Sequence, residues 1–181
     1  MSATSKKPNK WETLYDEGLG NNFPEPLVVR FVKNFISTNN LSELKAVDIG
    51  CGLGAHSILM AQLGIEVLSL DISSTAISKL HEKVVNQNIS NINAVCENIE
   101  KFEFKKNNYD LILDIAVLQH VNNKYLEPIF SRIKSSLKPN GRFYSWCLAS
   151  FNGINDEKFD YSIITKQILQ KNFNKGFVLT F

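Results

Sequence analysis

Apolar positions along the 181-residue chain alternate between two spacings, one helical and one extended. Trp11, Leu14 and Tyr15 make a short helical face, and a loop from Gly18 to Asn22 follows, closed by Pro24 and Pro26. Leu27, Val28, Phe31, Val32 and Phe35 share one side of a helix over 27–36, with Arg30, Lys33 and Asn34 opposite. Leu44 to Ile49 is a largely apolar strand-length run, and Ile65 to Leu70 is another. Between them a helix is expected with Ala55, Ile58, Leu59, Gln62 and Leu63 on its inner face. Ser73, Ser74 and Thr75 supply an N-cap for a stripe of Ala76, Ile77, Leu80, Val84 and Val85 that ends near Asn88. Ile92 to Cys96 reads as a third strand and Tyr109 to Ala116 as a fourth, apolar except at Asp110 and Asp114. A run of that kind suits a strand covered on both faces.

Further along, Leu126, Ile129, Phe130, Ile133 and Leu137 predict a helix in which Pro128 belongs in or near the first turn. Residues 137–141 then predict a turn and 142–148 a fifth strand. A polar loop over 150–160, a helix over 163–173 and a strand over 177–181 complete the pattern. Strand and helix alternate throughout, which predicts an α/β fold. Its form is a three-layer α/β/α sandwich around a mainly parallel, doubly wound sheet with right-handed crossovers. The length suits one domain, with residues 1–10 disordered, 11–40 a helical lid, and 41–181 the binding domain. Ligands of such sheets sit beyond the carboxyl ends of the strands, where Asp48, Asp71 and Asp114 are expected.

The chemistry concentrates between Ala46 and Asp71. The first strand runs into glycines at alternate positions, Gly50, Gly52 and Gly54, and a helix follows at once. Glycine tolerates positive φ and lets backbone approach a ligand closely. The second strand stops on Asp71, about 20 residues past the glycines, the spacing at which a carboxylate can reach ribose hydroxyls. With Ala55 in third place the loop can be fitted to a dinucleotide fingerprint. Asp48 argues against that fit, because its charge would repel a pyrophosphate and attract an ammonium group. S-adenosylmethionine carries an ammonium group and no phosphate.

The segment Val47-Asp48-Ile49-Gly50-Cys51-Gly52-Leu53-Gly54 closely resembles the first motif of class I S-adenosylmethionine-dependent methyltransferases, and the resemblance extends over roughly 44–146. It implies a Rossmann-like methyltransferase fold, S-adenosylmethionine as cofactor and S-adenosylhomocysteine as product. It also implies backbone approach to the methionyl part at Gly50 and Gly52, with Cys51 and Gly54 completing the loop and Asp48 holding the ammonium group. Asp71 would take both ribose hydroxyls and Ile72 the adenine face. Asn98 stands where the family commonly has an Asp facing the adenine amino group, and its amide oxygen can accept the same bond. Ile99 and Asp114 join the cofactor set. Each position also has a structural reading: a tight turn for the glycines, a helix cap for Asp71, a turn residue for Asn98. The Leu137-to-Arg142 turn resembles an architectural feature of the family. The family usually ends with a sixth strand and an antiparallel seventh, so the last strand is expected to be missing. An unpaired edge at 177–181 would favour association; the oligomeric state stays open.

On the methyl-transfer side, His120 is the histidine placed for general-base work, with packing under the sheet as its alternative role. Trp11 and Tyr15 are expected to wall the acceptor site or to pack the leading helix. His56 and His81 read as structural or exposed. No Asn/Asp-Pro-Pro-aromatic run follows the fourth strand, which counts against a DNA adenine methylase.

A net charge of +2 gives no broad basic field, so no nucleic-acid partner is expected. No apolar run approaches the ~20 residues of a membrane span. No signal peptide is visible, and three cysteines in apolar stretches read as reduced thiols, so the expected location is cytoplasmic. No metal-ligand spacing appears. The expected activity is methyl transfer to O, N or S of a small-molecule acceptor. The alternatives are transfer of another group from the same cofactor, a non-catalytic cofactor-binding scaffold, and an NAD-linked reductase. The last lacks a Tyr-x-x-x-Lys pair, since Thr165 stands four positions after Tyr161.

Overall fold

Among the described residues five parallel strands, β1 (Lys45–Ile49), β2 (Glu66–Asp71), β3 (Ile92–Cys96), β4 (Tyr109–Ile115) and β5 (Leu137–Trp146), form one sheet in the order β3-β2-β1-β4-β5. The computed structural model describes residues 10–38, 43–147 and 164–173. The loop expected over 150–160, the strand expected over 177–181 and the first nine residues lie outside the described residues. The helices are α1 (Lys10–Asp16), α2 (Pro26–Ser37), α3 (Ala55–Gln62), α4 (Ser74–Asn86), α5 (Asn123–Ser136) and α6 (Lys166–Phe173).

β1 lies mid-sheet between β2 and β4, so the order reverses there and opens a crevice at the carboxyl ends of the strands. Side chains alternate across β4 and feed two cores. Leu111 and Leu113 pack with Val28, Val32 and Phe35 of α2 and Met60 of α3. Ile112 faces the other way, into Phe130 and Ile133 of α5 and Phe173 of α6. These are the three layers of the expected sandwich.

Local details depart from the pattern in three places. The buried face of α3 carries Ala55, Ser57, Met60 and Ala61, while Gln62 is exposed and Ile58, Leu59 and Leu63 are half-buried. The apolar stripe misplaced this face because Ser57 is buried for its hydroxyl, which donates to Asp48 Oδ2 at 2.6 Å. Helix α5 starts at Asn123, capped by the Asn122 side chain, which accepts from Lys124 N at 3.1 Å. Pro128 therefore stands in the second turn and offers no N–H to the carbonyl four residues back. The turn expected over 137–141 is an irregularity inside β5. The ladder pairs Tyr109 with Leu137 and next Leu111 with Arg142, and Asn140 sits at φ +64° within the slip.

Candidate functional site

A cavity of about 340 Å³ opens at the carboxyl ends of β1, β2 and β4. Its walls come from four segments. The exit of β2 gives Leu70, Asp71 and Ile72, the turn after β3 gives Glu97 to Glu100, the exit of β4 gives Ile115 to Val117 with His120 and Val121, and α1 gives Trp11 and Tyr15. Gly50 forms the floor.

Asp71 ends β2, is 6% exposed and is anchored by backbone. Its Oδ2 accepts from Gly52 N at 2.8 Å and its Oδ1 from Ser73 N at 2.9 Å. Burial pushes its carboxyl up, and the bonds from Ser73 and Gly52 pull the other way. A carboxylate has about four lone-pair sites, so acceptor capacity remains for a ligand.

Asp48, 1% exposed, lies behind the glycine loop and off the cavity wall. Ser57 donates to it, and the Ser69 hydroxyl donates to Ser57 Oγ at 2.8 Å. Burial raises its carboxyl above the ordinary value, with His56 and Ser57 opposing. Gly52, Cys51 and Gly54 shape the loop without lining the cavity; burial also pushes the Cys51 thiol up. Gly52 stands at φ +52°, and a Cβ there would come within 2.7 Å of the Tyr15 hydroxyl. Burial holds the Tyr15 phenol above its usual range, with Asp71 adding to the effect, so it is a protonated donor.

Asn98 and Ile99 are on the cavity wall. Asn98 Oδ1 accepts from Glu100 N at 2.9 Å, which uses one of its two lone pairs. The turn is tied to α5 by Arg132, whose Nη2 donates to the carbonyls of Ile99 (3.0 Å) and Glu100 (2.9 Å). Asp114 is fully buried off the wall. It accepts from Val117 N, Leu118 N and the Ser145 hydroxyl, and burial pushes its carboxyl up to about 6.

His120 closes the 3-10 turn Leu118–His120 and meets Trp11 edge-to-face, the ring centroids 4.7 Å apart. Leu70 and Glu100 are wall residues that no motif singled out; Ala116, Val117 and Val121 belong to the exit of the fourth strand, which the resemblance sets on the methyl-transfer side, and Glu97 to the turn that carries Asn98. Ala116 adopts φ +60°, a conformation that no residue-type signal announces, and donates to the Trp146 carbonyl. The wall thus carries three carboxylates, and no lysine or arginine is among its described residues. Among the described residues no cluster of His, Cys, Asp and Glu could hold a metal ion, and no helix is long and apolar enough to cross a membrane.

Residues 46–141 match a family described as a methyltransferase domain. An uncharacterized protein of Methanocaldococcus jannaschii is 28% identical over 163 residues, which is 88% of this chain and 67% of that protein. The ubiquinone biosynthesis O-methyltransferase of Rhodopseudomonas palustris is 30% identical over 114 residues, 62% of this chain and 43% of that protein. Phosphoethanolamine N-methyltransferase 2 of Haemonchus contortus, solved with phosphomonomethylethanolamine and S-adenosylhomocysteine, superposes with a TM-score of 0.74 at 22% identity. The match covers 91% of this chain and 40% of that one. TehB of Haemophilus influenzae gives 0.70 at 21% identity, over 90% of this chain and 54% of that one. At such identities the structural likeness speaks for the fold. The chain spans about two thirds of the archaeal relative and under half of the ubiquinone enzyme.

Proposed function

Since this chain belongs to the class I S-adenosylmethionine-dependent methyltransferases, we propose that it transfers a methyl group from that cofactor to O, N or S of a small-molecule acceptor in the cavity under α1. The observation that carries the reading is the charge of the wall. Asp71, Glu97 and Glu100 face a crevice at the switch point with no lysine or arginine among the described wall residues. That arrangement repels a pyrophosphate and suits a cationic adenosyl compound.

The residues fit such a cofactor. Asp71 takes the ribose hydroxyls with its remaining lone pairs. Ile72 and Ile99 cover the adenine, and Asn98 meets its polar edge. Gly50 and Gly52 let the loop backbone approach the methionyl part. Asp48, set behind the loop, acts on the ammonium group through its field or a bridging water. When bound, the cofactor supplies a methyl group on a sulfonium, an intrinsically good leaving group. The chain therefore has to align the acceptor and keep water out. Trp11, Tyr15, Val117 and Val121 offer an apolar and aromatic wall for the acceptor. His120 takes the acceptor's proton where the nucleophile carries one.

Titration calorimetry with S-adenosylhomocysteine and with NADH tests the cofactor, and binding of only the latter overturns the reading. Incubation with methyl-labelled cofactor and a panel of small phenols, amines and thiols tests the transfer. Label in an acceptor supports it; transfer of the aminocarboxypropyl group instead contradicts it.

A further inference from the structure

We propose that Glu12 is a positioning residue for cofactor loading: from the lid helix α1 its carboxylate caps helix α4 and so holds Tyr15 over Gly52, and α1 has to release α4 before the cofactor enters.

The first turn of a helix presents N–H groups with no partner inside the helix, and the helix dipole favours an anion there. In α4 the local cap, Ser73, accepts only from Ala76 N, at 3.1 Å. Glu12 takes the two donors before it. Its Oε2 accepts from Ser74 N at 3.0 Å and its Oε1 from Thr75 N at 3.0 Å. Both hydroxyls, Ser74 Oγ and Thr75 Oγ1, also donate to Oε1 at 2.7 Å. A cap of this kind ordinarily comes from the residue just before the helix. Here it comes from a residue 62 positions away, so one charged group joins two elements.

The rest of α1 and the loop after it lie along the same face of α4. Thr75 Oγ1 is also 2.8 Å from Asp16 Oδ1. One turn on, the Lys79 ammonium donates to the Tyr15 carbonyl. One turn further, Lys83 donates to Asn22 Oδ1 at 2.9 Å and to the Leu53 carbonyl of the glycine loop at 3.0 Å. Positions 75, 79 and 83 share one helical face. Glu12 sits between the two wall residues Trp11 and Tyr15 and fixes both. Trp11 is set against His120, and the Tyr15 hydroxyl stands over Gly52.

On the reading given under Proposed function, Gly52 is where backbone meets the methionyl part, and Tyr15 holds that space in the latched form. The device rests on that reading. Asp71 draws on the preceding donor of the same helix start, Ser73 N, so the latch and the ribose-binding acid share one anchor.

Stopped-flow fluorescence of the full chain mixed with S-adenosylhomocysteine tests this, with Glu12→Ala, Glu12→Gln and Thr75→Val, each checked for fold by circular dichroism. Glu12→Ala should raise the association rate constant about tenfold, the factor one charge-assisted bond commands, and leave the dissociation rate unchanged, because the latched form excludes the cofactor. Glu12→Gln, which keeps an acceptor oxygen, should fall between wild type and Glu12→Ala, and Thr75→Val should rise by a smaller factor. A merely structural role would slow association and lower the melting temperature. Unchanged or slowed association in every folded variant overturns the latch and leaves the cofactor assignment standing. Should Glu12→Ala fail to fold, Thr75→Val decides by the same criterion. A wild-type chain that does not bind S-adenosylhomocysteine overturns both.

Discussion

Asp71 shows how much one side chain carries here, since it fastens the glycine loop and the start of α4 while keeping acceptor capacity toward the cavity. Asp71→Ala should weaken S-adenosylhomocysteine binding by about 1.5 to 3 kcal/mol for each ribose hydrogen bond lost. Calorimetry showing full affinity in a folded variant would remove it from the site. Gly54 is the opposite case, a residue needed for having no side chain. It sits at φ +80°, and a Cβ would overlap the fully buried Leu80. Left-handed strain and overpacking together should cost Gly54→Ala about 2 to 5 kcal/mol, read as a lower midpoint in urea unfolding. The sequence showed the positions of Asp71 and Gly54, because strand length and glycine spacing are local properties. It did not show that Asp48 and Asp114 lie behind the wall, since burial beneath a loop depends on neighbours far along the chain.

At the scale of elements, α1 is the piece whose attachment titrates. Bonds from Ser74, then Thr75, hold the Glu12 carboxyl down at about 2, below its ordinary 4.5. A depressed group contributes to the attached state above its free value, and that contribution is lost as pH falls from about 4.5 through 2. Asp71 and Asp114 are raised by burial and run the other way, so the comparison of wild type with Glu12→Gln isolates the effect. Protection against hydrogen exchange over residues 10–22, taken relative to the intrinsic rate at each pH, should fall in that window for wild type and hold steady for the variant. Helix α1 was legible as a short amphipathic face, but its docking partner was not. A trans cap leaves no spacing signal, because Glu12 and Ser74 are neighbours only once α4 lies alongside. The inner face of α3 escapes the apolar pattern for a related reason, its buried stripe including a serine that serves Asp48. Arg132 also left no trace in the sequence, since its partners are backbone carbonyls on another loop.

For the whole molecule, the alternation of strand and helix was enough to specify the layers and the parallel sheet. Apolar period is set by which surfaces a chain must hide, and both faces of β1 and β4 are hidden. The slip in β5 was not legible, because a turn-like Lys-Pro-Asn-Gly can sit inside a ladder if the neighbouring strand lets it bulge. The core beneath β4 is closed by Phe130, stacked edge-on against Phe143 and Phe173. Phe130→Ala should cost about 3 to 5 kcal/mol of global stability, measured by chemical denaturation, since the vacated space borders two elements. The strand order has a kinetic meaning too. Central β1 meets β2 early along the chain but gains its other neighbour, β4, only after α3, β2, α4 and β3 have all been spelled out. Such a late-arriving partner places the entropic hurdle of refolding at the closure of that long connection. Assembly is therefore paced by the joining of two half-sheets, whichever half collapses first.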